Sequence, residues 1–177
     1  MDVDPKGWTV FQWRHPLSVN FSRDWEEYKN GFGDVHGEFW LGNEILHRLT
    51  TPHRTLFHIG VSSVNGSSWY ERCDNMKIAS ELQKYTITLG KASGTAGDSI
   101  TNASSVGTDG TMDGMPFTTY DRDNDLYSGN CAVAYRGGWW FNRCYSICLN
   151  CPRDSIGYYP LVQKSEFNSS ILMITRI

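Results

Sequence analysis

The alternation of apolar and polar positions predicts a chain built mostly from short strands. Trp8-Thr-Val-Phe-Gln12 alternates and is rich in β-formers, which marks a strand. Ser22 stands as an N-cap for a short helix over Arg23 to Asn30, with Asp24, Glu26 and Glu27 near its positive end and Gly31 at its stop. Trp25 and Tyr28 share a face of that helix, and Leu41, Ile45, Leu46 and Leu49 define a second helix over Leu41 to Leu49. Strand signals follow at Thr55 to Val61, Ser68 to Arg72 and Lys84 to Leu89, with Asn65-Gly66 turning the first into the second, so that an antiparallel meander is expected. From Gly90 to about Gly114 the chain is polar and reads as a surface excursion. The closing run Ile171-Leu-Met-Ile174 is short and β-rich and is expected to return to the central sheet. The fold class is α+β: a central twisted antiparallel sheet with short helices, plus an irregular, loop-rich C-terminal third held by cysteines.

Size and composition sharpen this. At 177 residues the chain fits one domain with a substantial core, and its 24 aromatic residues with 17 Gly suit strands and turns over an aromatic interior rather than a helix bundle. A net charge of −3 without long runs of like charge gives no basic face for nucleic acid. No segment approaches the roughly 18 apolar residues of a membrane span. The start Met1-Asp2-Val3-Asp4-Pro5 lacks the basic and apolar regions of a secretory leader, and the expectation is a truncated start or an upstream region outside this sequence.

Two features nevertheless point outside the cell. Four of the five cysteines cluster between Cys131 and Cys151, and Asn20, Asn65, Asn102 and Asn168 each begin an Asn-x-Ser acceptor triplet for N-glycosylation. Cys73 is the odd cysteine and reads as a buried free thiol, with pairing to another chain as the alternative. His15, His36, His47, His53 and His58 show no ligand spacing.

The segment with most chemistry is Asp121-Arg-Asp123-Asn-Asp125-Leu-Tyr127-Ser-Gly129-Asn130, which alternates three carboxylates within turn residues. A hard cation such as Ca²⁺ takes oxygens from carboxylates and backbone carbonyls in such a loop. An EF-hand is rejected, because Leu126 stands where its sharp turn requires Gly and Ala132 where its bidentate Glu belongs. A solvated acidic turn is the alternative; a catalytic carboxylate pair lacks a suitably spaced partner, so no enzyme is expected.

Seven stretches in order, from Gly7 to about Asn150, resemble the fibrinogen C-terminal-like family of fibrinogen chain ends, ficolins, tachylectins, angiopoietins and tenascin ends. They are Gly7-Trp-Thr-Val-Phe-Gln12, Trp25-xx-Tyr28-xx-Gly31-Phe-Gly33, Gly37-Glu-Phe-Trp-Leu-Gly-Asn-Glu44, Gly94-Thr-Ala-Gly-Asp98, Asp121-Arg-Asp-Asn-Asp125, Asn130-Cys-Ala132 and Gly138-Trp-Trp140. The resemblance implies one domain over 1–177, with sheet and helices over about 7–115, calcium and ligand loops over about 116–165, and a returning strand at 170–177. It implies Ca²⁺ held by the side chains of Asp123 and Asp125 and the carbonyls of Tyr127 and Gly129. It also implies a Cys131–Cys144 disulfide and a cis peptide between Arg143 and Cys144. Such a disulfide closes a loop of about 14 residues, worth roughly 3 kcal/mol in the chain-entropy model, and pins the acidic loop beside the Trp139-Trp140 pair, so that metal loop and aromatic surface form one site.

In the lectin-like members a pocket beside the calcium loop receives an acetyl group. By resemblance its frame here is Tyr135, Arg143, Cys144, Tyr145 and Tyr159, with Tyr145 where the family usually has His, a larger phenol in place of an imidazole. Other departures are the N-terminal subdomain, which this sequence lacks, a shortened return segment after Gly157-Tyr-Tyr-Pro160 that removes part of the pocket wall, and the added Cys148 and Cys151. The last two leave open a local disulfide, other pairings, a redox pair, or a zinc site with Cys144, the zinc reading lacking a fourth ligand. The expected function is a secreted, calcium-dependent lectin for acetylated sugars in innate defence; the alternative is a protein-binding module for adhesion, clotting or receptor signalling. The family usually oligomerises through upstream collagen-like or coiled segments, which this sequence does not contain.

Overall fold

The computed structural model describes residues 7–101, 110–158 and 166–177. The expectations for Asn102 and Tyr159 lie outside the described residues. Eleven strands occur among those described: β1 Thr9–Arg14, β2 Phe32–Gly33, β3 Phe39–Trp40, β4 Thr55–Ser63, β5 Ser68–Cys73, β6 Met76–Ile78, β7 Ile87–Leu89, β8 Ala92–Ser93, β9 Ile147–Cys148, β10 Gly157–Tyr158 and β11 Phe167–Arg176. The helices are α1 Trp25–Asn30, α2 Asn43–Thr50 and α3 Cys131–Tyr135. A seven-stranded sheet runs in the order β2-β3-β1-β11-β4-β5-β8, flanked by two-stranded ribbons β6-β7 and β9-β10. The last strand is therefore central: β11 pairs antiparallel with both β1 and β4, and its apolar run places Leu172 and Ile174 in the core beside Phe57, Ile59 and Val61 of β4.

Three elements differ from the sequence expectation. Helix α1 is capped by Asp24 rather than Ser22, because Asp24 and Glu27 form a reciprocal capping box in which Asp24 Oδ1 accepts from Glu27 N at 2.8 Å and Glu27 Oε2 from Asp24 N at 3.2 Å. The amide of Ser22 is taken instead by Asn20 Oδ1. Helix α2 starts after Leu41 because Gly42 sits at φ 114°, with backbone oxygens where a Cβ would lie. The expected strand Lys84 to Leu89 begins only at Ile87: Lys84 and Tyr85 adopt positive φ, and β7 pairs with β6 in its own ribbon rather than extending the meander. The stretch from Gly90 is also less superficial than its polarity suggests, since Ala96, Ser99, Ile100 and Met112 are buried.

Buried polar groups tie the sheet to the C-terminal loops. On β1, Arg14 Nη1 donates to the carbonyls of Leu149 and Cys151 at 2.9 and 2.6 Å, and Gln12 Nε2 to Leu149 O and Asn150 Oδ1 at 3.2 and 3.3 Å. Ser170 of β11 donates to Gln12 Oε1. Burial pulls the Arg14 guanidinium down to about 10, and these carbonyls, with the Phe21 ring 4.3 Å away, offset its desolvation. Cys148 and Cys151, both buried, form a disulfide on this platform, the local pairing among the readings the sequence leaves open; Cys73 is a buried free thiol.

Candidate functional site

The site is assembled around the acidic loop. Asp125 Oδ1 accepts from Tyr127 N at 2.9 Å and its Oδ2 from Cys131 N at 2.9 Å, so one carboxylate both shapes the loop and fixes the start of α3. Asp123 Oδ1 faces the amide of Asp125 at 3.3 Å, with the Asp123 side chain exposed. Asn130 caps α3 through Oδ1 to Val133 N, while its Nδ2 reaches the carbonyls of Thr119 and Tyr120. The Cys131–Cys144 disulfide then joins α3 to the following turn, where Asn142 N donates to Cys144 O and Leu126 N to Asn142 O. The Arg143–Cys144 peptide is cis. Acidic loop, α3 and the 142–144 turn are thus cross-braced by a covalent bond and by hydrogen bonds in both directions.

Asp121 goes elsewhere. Its Oδ1 accepts from Trp25 N at 3.0 Å, adding a second acceptor at the N-terminus of α1, while Arg122 lies 4.0 Å over the Trp25 ring. The loop therefore offers two carboxylates, and among the described residues no group of three or more His, Cys, Asp or Glu forms a metal site. Hard oxygen donors fit Ca²⁺ here only if backbone carbonyls complete the set. Burial first, and the neighbouring charge of Asp123 after it, raise the Asp125 carboxyl above its ordinary range, against the amide bonds that lower it.

Beside this loop Tyr135 at the end of α3 meets Tyr145 edge to face, 4.8 Å between centroids, with Phe141 6.0 Å from Tyr145. Tyr145 donates to Ser155 O at 2.5 Å, and burial pushes its phenol up to about 12, so it remains a donor where an imidazole would titrate. Tyr135, Cys144 and Tyr145 are half-buried and Arg143 is exposed, so the structure brings these four predicted frame residues to one place. The expected aromatic surface of Trp139 and Trp140 is not there: both are buried in the core. Gly137 and Gly138 explain why, since a Cβ at Gly138 would lie 2.5 Å from the Tyr28 ring and one at Gly137 2.6 Å from Asn150 O, so the chain passes against the core before the Trp pair. Four large apolar side chains of the loop and α3 that the sequence does not mark as surface residues, Tyr120, Leu126, Tyr127 and Val133, are exposed.

A seven-stranded sheet with its C-terminal strand at the centre thus carries a disulfide-braced acidic loop, and this architecture has relatives. The chain belongs to the family described as "Fibrinogen beta and gamma chains, C-terminal globular domain", which matches residues 1–163. Human fibrinogen-like protein 1 is 44% identical over 152 residues, covering 83% of this chain and 49% of that protein. Human ficolin-3 is 42% identical over 151 residues, covering 85% of this chain and 48% of that protein. The chain thus spans about half the length of these curated relatives. Among solved structures, the fibrinogen-like globe domain of human ANGPTL2 superposes with a TM-score of 0.88 at 34% identity, covering 99% of this chain and 82% of that one. Lamprey fibrin D-dimer complexed with the peptide ligand Gly-His-Arg-Pro-amide gives a TM-score of 0.88 at 30% identity, covering 98% and 63%.

Proposed function

We propose that the chain is a secreted, calcium-dependent recognition module whose ligand seat lies between Tyr135 and the Arg143-Cys144-Tyr145 turn, and that its ligand is an acetylated sugar. The observation that carries this reading is the bracing of the acidic loop to the seat, through Asp125 to Cys131 N and through Leu126 to Asn142 O. Asp123 and Asp125, with the carbonyls of Tyr127 and Gly129, would hold the ion, which supplies countercharge and rigidity. The protein's own groups do the recognising: aromatic faces of Tyr135 and Tyr145 for a methyl group, backbone around Cys144 for an amide. Isothermal titration of the folded chain with N-acetylglucosamine, with and without a calcium chelator, tests it. Binding that the chelator weakens is expected; no binding by folded, calcium-saturated protein overturns the sugar reading.

The second reading is protein recognition, in adhesion, clotting or receptor signalling. The exposure of Tyr120, Leu126, Tyr127 and Val133 on the loop and α3 favours it, because exposed aromatic and aliphatic side chains on a braced segment suit a peptide or protein partner. A peptide-bound structural relative adds to that support. Titration with the same tetrapeptide amide distinguishes the two: saturable binding abolished by Val133→Asp, with no sugar binding, supports the protein reading.

A further inference from the structure

The acceptor triplets that begin at Asn20, Asn65 and Asn168 carry identical chemistry in the sequence and very different chemistry in the fold. N-glycosylation forms a bond between the asparagine amide nitrogen and the anomeric carbon of a lipid-pyrophosphate-linked oligosaccharide. The bond from that carbon to the pyrophosphate oxygen breaks, the lipid pyrophosphate leaves, and one amide proton passes to base. The reaction needs an accessible Nδ2 and the hydroxyl two residues on.

Asn20 and Asn65 meet that need by local structure alone. Each is exposed, and each side chain forms an Asx-turn: Asn20 Oδ1 accepts from Ser22 N at 2.8 Å, and Asn65 Oδ1 from Ser67 N at 2.9 Å. The turn draws the triplet's serine toward the amide group, and among the described residues nothing accepts a hydrogen bond from either Nδ2. Asn65 also sits at the tip of the β4-β5 hairpin, where Gly66 at φ 88° turns the chain outward.

Asn168 is the opposite case. It lies in β11 at the bulge between the Phe167–Ser63 and Ser169–Ser62 pairs with β4, two residues beyond the last pair with β1, half-buried, with Nδ2 donating to Ser62 Oγ at 3.2 Å. The hydroxyl of its triplet, Ser170 Oγ, is buried and donates to Gln12 Oε1 at 3.0 Å, part of the network that holds the 149–151 segment. A sugar on Asn168 leaves Nδ2 a single hydrogen and sets a bulky substituent beside Ser62, where it opposes the packing of the closing strand on β4.

From these contrasts we infer that Asn20 and Asn65 are N-glycosylation sites of the folded protein and that Asn168 stays bare despite its triplet. The inference rests on the extracellular reading only in that the chain must meet the transferase. The test supplies that encounter by expressing the full chain behind a cleavable secretory leader in a eukaryotic host. Secreted protein is treated with peptide N-glycosidase in heavy-oxygen water, and each site is read by peptide mass. Expected are heavy aspartate at positions 20 and 65, unmodified asparagine at 168, and loss of one glycan each in Ser22→Ala and Ser67→Ala. A glycan on Asn168, or an empty Asn20 or Asn65 in folded secreted protein, overturns the inference. The natural protein's location is read separately, by whether its own source material carries the same glycans.

Discussion

Glu71 is the buried group whose removal is most informative about how the C-terminal loops are held. It sits on the core face of β5, fully buried, with Oε2 accepting from the Tyr158 hydroxyl of β10 and from Ser99 N at 3.4 Å, and with Oε1 left without a hydrogen-bond partner among the described residues. Burial pushes its carboxyl up to about 7; the Tyr158 bond opposes this and the charge of Asp98 adds to it. Because the folded-state value lies above the unfolded one, the native state holds the extra proton between them. Stability therefore falls as pH rises from about 4.5 to about 7 and then levels. The gap corresponds to roughly 3 kcal/mol lost at high pH. Glu71→Gln removes the charge while keeping an acceptor for Tyr158. Urea unfolding with intact disulfides, followed from about pH 5 to about pH 8, should show this decline in the wild type. The variant should be flatter and more stable than wild type at the upper end. Parallel curves for the two proteins would refute the assignment of Glu71 as the titrating group.

Other outcomes follow from single contacts. Glu38 accepts from the amides of Leu17, Ser18 and Val19 and from Ser18 Oγ, all at 2.6 to 2.8 Å; burial raises its carboxyl, these bonds more than offset that, and it lies below its ordinary value. Glu38→Gln should therefore cost about 2 kcal/mol near neutral pH in urea unfolding, and less below the ordinary carboxylate range, where the wild type also protonates. Gly138→Ala forces a methyl into the Tyr28 ring and should cost about 3 kcal/mol or prevent folding, read by thermal melting. Replacing Cys131 and Cys144 together by Ser should cost roughly 3 kcal/mol and weaken calcium binding in titration, because the acidic loop loses its brace.

What the sequence disclosed and what it hid follow from the range of the forces involved. Strand β1, the β4-β5 hairpin and the returning β11 were legible because alternation and an Asn-Gly turn are local signals. The acidic loop was legible in its alternating carboxylates, and the Cys131–Cys144 pair and the cis peptide before Cys144 through resemblance, since the motif residues stand in family order. Asp24 caps α1 in place of Ser22 through the reciprocal bond from Glu27, a geometric contact that residue type alone does not reveal. The diversion of Asp121 to the start of α1 was invisible, because it depends on a contact with Trp25 across 96 positions. The same holds for Gln12 and Arg14, which read as ordinary strand residues until the 149–151 carbonyls arrive above them. Burial of Trp139 and Trp140 was also hidden: an aromatic pair after two glycines suits a surface or a core equally until Tyr28 is in place.

A crystal structure of the chain grown with calcium decides whether the acidic loop is a calcium site braced to a ligand seat. One ion is expected, bound by Asp123, Asp125 and the carbonyls of Tyr127 and Gly129 at about 2.3 to 2.6 Å. The loop should remain fixed to Cys131 N and Asn142 O as it is now. A loop free of any ion at saturating calcium, or an ion held elsewhere with Asp123 and Asp125 facing solvent, would contradict it.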